Sequence, residues 1–428
     1  MSQISQIQTK GIYHGLPVYP ECLKGLTAIV TGANGISGYH QVKVLAESPE
    51  RWTKIYCLSR RPPAIPGGLP KHAEFVSLDF MKEPTEIASV LKEKGVKAHY
   101  VFFSSYIQPP PKDGGNIWSD VDELVRVNKL LLSNFLEALP LADAIPKRIM
   151  LQTGAKNYGV HLGPTTLPQT EDDPRIDLEP NFYYPQEDVL ADFCRQHSLN
   201  YSIAMPCNIL GAVPDAAMNL CFPLAVYATV CAHLKQPLHF PGGVTAWERP
   251  QDQSSAMLNA YLEEWTVLRP QETLGEKFNA VDGIPFTWAH FWPKMAAWYG
   301  LEWTGAKEEG LTKVEMPYNL RGYGTKAVFE FQFKLTDWAK TPEVQTAWKE
   351  IVEKHDLVQK DLGDIDRIFS FADVGLGFPH PFYFSTAKAR KLGFFGCVDS
   401  TECMLEVFND FGKLKMIPPV PMVGGGSN

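Results

Sequence analysis

The sequence predicts an α/β protein: a doubly wound parallel sheet with helices on both faces, followed by a mainly helical C-terminal region. Three observations predict it. Short apolar, β-branched runs alternate with helical stretches through the first half of the chain, the pattern of parallel βαβ units. The first of these runs stops at a glycine-rich turn that opens a helix. After about Gly211 the alternation gives way to long helical segments dense in Trp and Phe.

Taken in order, residues 1–24 read as an irregular N-terminal arm. Leu26–Thr31 (LTAIVT) ends at glycine and reads as a buried parallel strand. GANGISG follows, then YHQVKVLAES with helical spacing. Lys54–Ser59 (KIYCLS), Glu74–Leu78 (EFVSL) and Val96–Phe103 (VKAHYVFF) continue the strand series. Arg148–Gln152 (RIMLQ) and Tyr201–Met205 (YSIAM) complete it. DELVRVNKLLLSNFLEAL is the clearest helix between them. In the second half, VQTAWKEIVEKH and ECMLEVFNDF read as helices. FTWAHFWPKMAAWYG has helical spacing and reads as core or interface. Lys277–Val281 (KFNAV) reads as one more strand, returning to the sheet.

Composition narrows the function. A chain of 428 residues allows two to three domains, at about 150 residues each. With 45% hydrophobic and 21% charged residues it is not a disordered chain. Lys plus Arg number 40 against 48 Asp plus Glu, a net charge of −8 with no basic block, which argues against nucleic acid. None of the eight cysteines forms a CxxC pair, so zinc-ribbon and thioredoxin chemistry fall away. They read as reduced thiols of a cytoplasmic protein. No metal-ligand spacing and no Ser-His-Asp arrangement is assigned. MSQISQIQTKGIYHG has no apolar core, so no secretory signal is expected. The longest uncharged run, between Asp215 and Lys235, carries Asn219, Pro223, Thr229 and His233. It reads as a buried globular helix rather than a span, which wants about 20 mostly apolar residues.

Gly32, Gly35 and Gly38 stand where the first strand passes into the first helix. One glycine permits a turn of positive φ, another lets backbone approach a pyrophosphate, and the third lets helix pack on strand. Free N–H groups at the helix start then receive the phosphate. Thr31, Asn34 and Ile36 belong to the same cradle. The spacing is GxxGxxG rather than GxGxxG, and a ligand-free tight turn is the bland alternative. At the end of the second strand an NAD site would carry Asp or Glu. This chain has Ser59, Arg60 and Arg61, whose guanidinium forks match a 2′-phosphate. The cofactor expected is therefore NADPH. Asp79, after the third strand, either accepts from the adenine amino group or caps the next helix. These features make the fold Rossmann-type. The domains expected are the arm 1–24, an NADP-binding domain 25–211 and a substrate-binding domain 212–428 from which 277–283 returns to the sheet. The tail 424–428 (GGGSN) is expected to be disordered, having nothing to bury.

The YxxxK spacing of short-chain dehydrogenases does not occur after the fifth strand. LQTGAKNYG (Leu151–Gly159) and NFYYPQEDVL (Asn181–Leu190) stand there instead. With TGANGISG, SRRP, TEDDPR (Thr170–Arg175), MPCNILG (Met205–Gly211), MNLCFPLAVYA, FADVGLG and LGFFGCVDS, they make most of the chain resemble the progesterone 5β-reductase and iridoid synthase family of atypical short-chain dehydrogenases. The resemblance implies a loop lysine, Lys156, and a tyrosine from the NFYYxxED motif. Tyr183 is the first choice, because a helix shortened by one turn keeps it in phase with Pro206. Tyr184, offset by about 100°, is the fallback. Packing and helix capping are the structural alternative for both. The resemblance also implies cofactor contacts at Ser104, Pro206, Asn208 and Ile209, and substrate contacts at Tyr106, Thr165 and Met218. Ser105 stands beside Ser104 at the same strand end.

The chain departs from the family at Met205 and Cys207, which replace Arg and Gly, and in a longer loop after Lys156 that carries His161. Thr165 replaces an aromatic of the plant members. Trp247 either lines the pocket or belongs to the core.

The function implied is NADPH-dependent reduction of α,β-unsaturated carbonyl compounds (terpenoid, steroid-like or polyketide-like) by 1,4-hydride addition. A phenol at the carbonyl oxygen would stabilise the enolate by ~3 kcal/mol per donor. Lys156 would favour its ionised form and hold the ribose hydroxyls. One rival is 1,2-reduction or reductive cyclisation on the same site. Another is a non-catalytic NADPH sensor, which needs the cradle but not the phenol. The aromatic density of the second half would suit a homodimer.

Overall fold

The computed structural model describes residues 6–112, 118–269, 272–318 and 326–422; the tail 424–428 lies outside them. Seven strands form the central sheet: β1 (Leu26–Thr31), β2 (Trp52–Ser59), β3 (Ala73–Ser77), β4 (Tyr100–Phe103), β5 (Arg148–Gln152), β6 (Asn200–Pro206) and β7 (Glu276–Ala280). Their order is β7–β6–β5–β4–β1–β2–β3, and every pairing is parallel. The chain thus winds outward from β1 in one direction, then resumes at β4 on the other side. Such a reversal opens a crevice at the C-terminal ends of β1 and β4.

Alternation within the strands builds two cores. On one face Ala28, Val30, Ile55, Cys57, Met150 and Phe278 pack with Val42 and Leu45 of helix α1 (Ile36–Ala46). Leu258, Leu262 and Trp265 of a helix at Ala256–Leu268 join the same cluster. On the other face Ile29, Leu58, Val101, Ile149 and Ile203 meet Ile87, Leu131, Phe135 and Leu190. These last come from helices at Pro84–Glu93, Val121–Leu141 and Tyr183–Gln196. The run Asp215–Lys235 contains a helix, Cys221–Leu234, buried along almost its whole length among the C-terminal helices. Trp288, Phe291 and Trp292 of the helix Trp288–Tyr299 are core residues. Among the described residues no helix is long and apolar enough to cross a membrane. None of the eight cysteines is paired.

Two local expectations differ from the structure. The fourth strand starts at Tyr100, not Val96. Val96 is buried because it closes the preceding helix: Gly95 turns left-handed at φ 60° and the Val96 amide donates to the Leu91 carbonyl at 2.8 Å. An apolar residue placed just after such a glycine cap packs back on the helix, and this mimics a strand in sequence. The arm is not irregular either. Ile7–Lys10 and Tyr13–Pro17 pair as an antiparallel hairpin turning at Gly11. Strands this short carry too few alternating positions for periodicity to show.

Candidate active site

The glycine turn is built as its three roles require. Gly32 has φ 62°, and the Gly35 amide donates to its carbonyl at 2.9 Å. A Cβ on Gly38 would lie 2.4 Å from the Gly32 carbonyl oxygen, so only glycine lets α1 sit this close to β1. Gly35 caps α1 with no side-chain hydrogen bond, so the cap itself takes up none of the first-turn amides. Ser104 pins the two sides of the crevice. Its amide donates to Thr31 Oγ1 at 3.2 Å and its hydroxyl to the Thr31 carbonyl at 2.9 Å. Asn34 and Ile36 lie partly buried on the same loop. This cradle fits the pyrophosphate of a dinucleotide.

At the end of β2, Ser59 Oγ donates to the Arg61 carbonyl at 2.7 Å and holds the turn. Arg60 and Arg61 are exposed there, and Arg61 pairs with Asp215 at 2.8 Å. Asp79 accepts from the Met81 amide at 3.0 Å, so one of its oxygens is committed to capping a turn.

The two candidate tyrosines are separated by their surroundings. The Tyr183 oxygen lies against the bare backbone of Gly154, where a Cβ would come within 2.7 Å of it and within 3.2 Å of the Pro206 carbonyl oxygen. The phenol therefore sits at the C-terminal edge of the sheet, between the ends of β5 and β6. The Tyr184 hydroxyl is consumed by the fold: it donates to the Asn157 carbonyl at 2.8 Å and accepts from the Ile176 amide at 2.9 Å. Burial pushes the Tyr183 phenol well above its ordinary pKa, so it is a neutral hydrogen-bond donor at neutral pH.

Lys156 is tied to Tyr183 through Asn181. The Asn181 amide side chain donates to the Lys156 carbonyl at 2.8 Å and accepts from the Tyr183 amide at 3.1 Å. The ammonium itself lies 3.7 Å from the centroid of the Trp118 ring, a cation–π contact. Burial lowers its pKa to about 7, against the pull of the Glu179 carboxylate. Glu179 in turn meets His161 Nε2 at 3.0 Å. The backbone of Lys156 is thus tied to the backbone of Tyr183, while its ammonium rests on an aromatic face and feels the Glu179 carboxylate.

A run of aromatic rings starts at Tyr183. Phe182 lies 4.3 Å from Tyr183 and 5.7 Å from Tyr106, centroid to centroid, and Trp118 meets Phe371 edge-on at 6.2 Å. Burial, then the Tyr183 phenol, raise the Tyr106 pKa. Other sequence candidates stand as follows. The Thr165 hydroxyl accepts from Gln169 Nε2 at 2.7 Å, and Met218 is half-buried ahead of Cys221–Leu234. Asn208 and Ile209 form a short strand parallel to Gln253–Ser255. The Cys207 amide donates to Ser254 Oγ at 2.9 Å, and Met205 is buried in the sheet. Trp247 is half-buried, packing on the core residue Phe240 on one side and the exposed Trp303 on the other. Sequence reasoning missed Gly154, Asn181, Trp118 and Glu179. The first two lie inside the quoted motifs; the last two stand in loops with no pattern.

Comparison with known proteins gives concordant findings. The family description "PRISE-like Rossmann-fold domain" matches residues 28–330, more than half the chain. An uncharacterised Schizosaccharomyces pombe protein is 34% identical over 92% of this chain and 99% of its own length. The (S)-8-oxocitronellyl enol synthase of Catharanthus roseus is 28% identical over 91% and 92% of the two chains. The 3-oxo-Δ(4,5)-steroid 5-β-reductase of Arabidopsis thaliana is 29% identical over 91% and 93%. Among solved structures, an epimerase of Methanothermobacter thermautotrophicus superposes with a TM-score of 0.56 over 92% of this chain and 94% of its own, at 15% identity, a likeness of fold.

Proposed function

The chain belongs to the PRISE-like Rossmann-fold family, and from that premise we propose that it is an NADPH-dependent reductase of α,β-unsaturated carbonyl compounds acting by 1,4-hydride addition. The observation that carries the reading is the Tyr183 oxygen, held at the sheet's C-terminal edge beside Gly154 and Pro206. The same edge carries the glycine cradle. Bound there, NADPH supplies the hydride.

The chain's own residues do the rest. The turn Gly32–Gly38 and the first amides of α1 bind the pyrophosphate. Arg60 and Arg61 receive the 2′-phosphate. Tyr183 points a neutral hydroxyl at the substrate carbonyl oxygen and stabilises the negative charge that grows there, as one donor of an oxyanion hole. Because burial has raised its pKa, the phenol keeps its proton while donating. Lys156, whose carbonyl Asn181 ties to the Tyr183 amide, holds the nicotinamide ribose hydroxyls once its ammonium leaves the Trp118 ring. Phe182, Tyr106 and Trp118 exclude water from the reacting face. The enolate leaves the site, and its carbon takes a proton from bulk solvent. The unpaired cysteines fit a reducing, cytoplasmic setting. Substrates of this class are small terpenoid, steroid-like or polyketide-like enones and enals.

The test is NADPH oxidation against a panel of enones, enals and simple ketones with products identified. A saturated carbonyl product supports the proposal. An allylic alcohol replaces it with 1,2-reduction, and a ring-closed product with reductive cyclisation.

A further inference from the structure

Three distant segments meet on one carboxylate beside the assigned phosphate site. Asp215 lies in the segment between Leu210 and Cys221 and accepts from Arg61 at 2.8 Å through Oδ2. Its other oxygen, Oδ1, accepts from Arg367, near the start of the helix Ile365–Gly377. Burial draws the Asp215 carboxyl up, but the two guanidiniums draw it down further, so it is ionised at neutral pH. All three side chains remain partly open to solvent, at 66% for Arg61, 42% for Asp215 and 40% for Arg367.

A guanidinium grips a carboxylate and a phosphate with the same planar fork. A pair of guanidiniums already converging on one anion is therefore a site that a second anion of similar shape can take over. Arg60, Arg61 and Arg367 with one Asp215 leave two positive charges, which matches a phosphate monoester near its dianion. We propose that Arg367 is a third residue of the cofactor's 2′-phosphate site, and that Asp215 is the internal anion which the phosphate displaces from Arg61 and Arg367. The inference rests on Arg60 and Arg61 recognising that phosphate. It extends specificity from the end of β2 to a helix of the C-terminal half, so that taking the phosphorylated cofactor also re-partners that helix.

The test is calorimetric titration of the full chain with 2′,5′-ADP and with 5′-AMP, which differ only in the 2′-phosphate. The wild type is expected to bind 2′,5′-ADP more tightly. Arg367→Gln weakens 2′,5′-ADP by about tenfold, the scale of a charge-assisted hydrogen bond, and leaves 5′-AMP within about twofold. Asp215→Asn tightens 2′,5′-ADP by about threefold or more, since removing a competing anion helps the incoming one, again without effect on 5′-AMP. Exposed ion pairs contribute little to folding, so both variants should melt close to the wild type. If Arg61→Ala abolishes discrimination while Arg367→Gln and Asp215→Asn change nothing, the inference is overturned and the NADPH assignment survives. If the wild type binds both nucleotides equally, the NADPH assignment fails and takes the inference with it.

Discussion

Neighbouring residues of identical type have opposite duties here. Tyr183 and Tyr184 are adjacent on one helix start, yet one phenol stands at the sheet edge and the other is fully spent on the backbone of Asn157 and Ile176. Removing each hydroxyl should therefore read out differently. Tyr183→Phe is expected to lower kcat by about a hundredfold, the cost of one oxyanion donor, with cofactor binding and melting temperature nearly unchanged. Tyr184→Phe is expected to leave kcat close to wild type and to cost ~1–3 kcal/mol of stability, because the Ile176 amide loses its acceptor. Steady-state kinetics and denaturant unfolding of the pair check this; reversed results would exchange the two roles. The same economy of space explains Gly154. Its backbone is extended, so glycine is needed there for room beside the Tyr183 oxygen and not for a special φ.

At the scale of elements, the motifs that look most chemical are half scaffolding. Glu187, from NFYYPQED, is buried and accepts from Asn157 at 2.7 Å, Arg175 at 3.0 Å and Lys277 at 2.5 Å. It thereby ties the lysine loop, the TEDDPR segment, the tyrosine helix and β7 together. The helix Ala256–Leu268 carries a different buried acid. Burial lifts Glu263 to about 8 from 4.5, and its Oε1 has no hydrogen-bond partner among the described residues. Between those pH values the folded state holds a proton that the unfolded state has released. Stability from this group therefore falls as pH rises from about 4.5 to 8. Glu263→Gln removes the titration. It should unfold at higher temperature than wild type at pH 8.5, by a difference on the order of a few kcal/mol, and converge with it near pH 4.5. Thermal melts across that range decide it, and parallel curves would mean that Glu263 is ionised in the folded state.

The whole molecule is closed by contacts between its ends. Tyr13 of the N-terminal hairpin is buried and donates to Glu406 at 2.6 Å, on the helix Ser400–Lys413. The His14 amide donates to the Cys397 carbonyl at 2.9 Å. Tyr13→Ala should cost ~3–5 kcal/mol, as for other large buried aromatics, seen as a lowered denaturation midpoint; an unchanged midpoint would show the hairpin to be an ornament. None of this was legible beforehand. The five-residue strand Tyr13–Pro17 is too short to show a period, and the residues that Tyr13 and His14 bond are nearly the whole chain away. The sheet was legible for the opposite reason. Strands such as LTAIVT and RIMLQ are buried on both faces, so their apolar character is continuous, and their ends fell within a residue or two of where the structure places them.

Local pattern by itself determined the doubly wound sheet, the glycine cradle at its first turn, and the two short motifs that hold Lys156 and Tyr183, because each is written in consecutive residues whose backbone preferences act at short range. Only the tertiary structure decided that the Tyr183 oxygen faces Gly154 while Tyr184 is consumed by hydrogen bonds, that the Lys156 ammonium rests on Trp118, and that Asp215 gathers Arg61 and Arg367. Those outcomes are set by which desolvated charge or hydroxyl finds a partner in space. Burial and electrostatic pairing act across chain separations from 27 to 154 residues, where sequence spacing carries no distance.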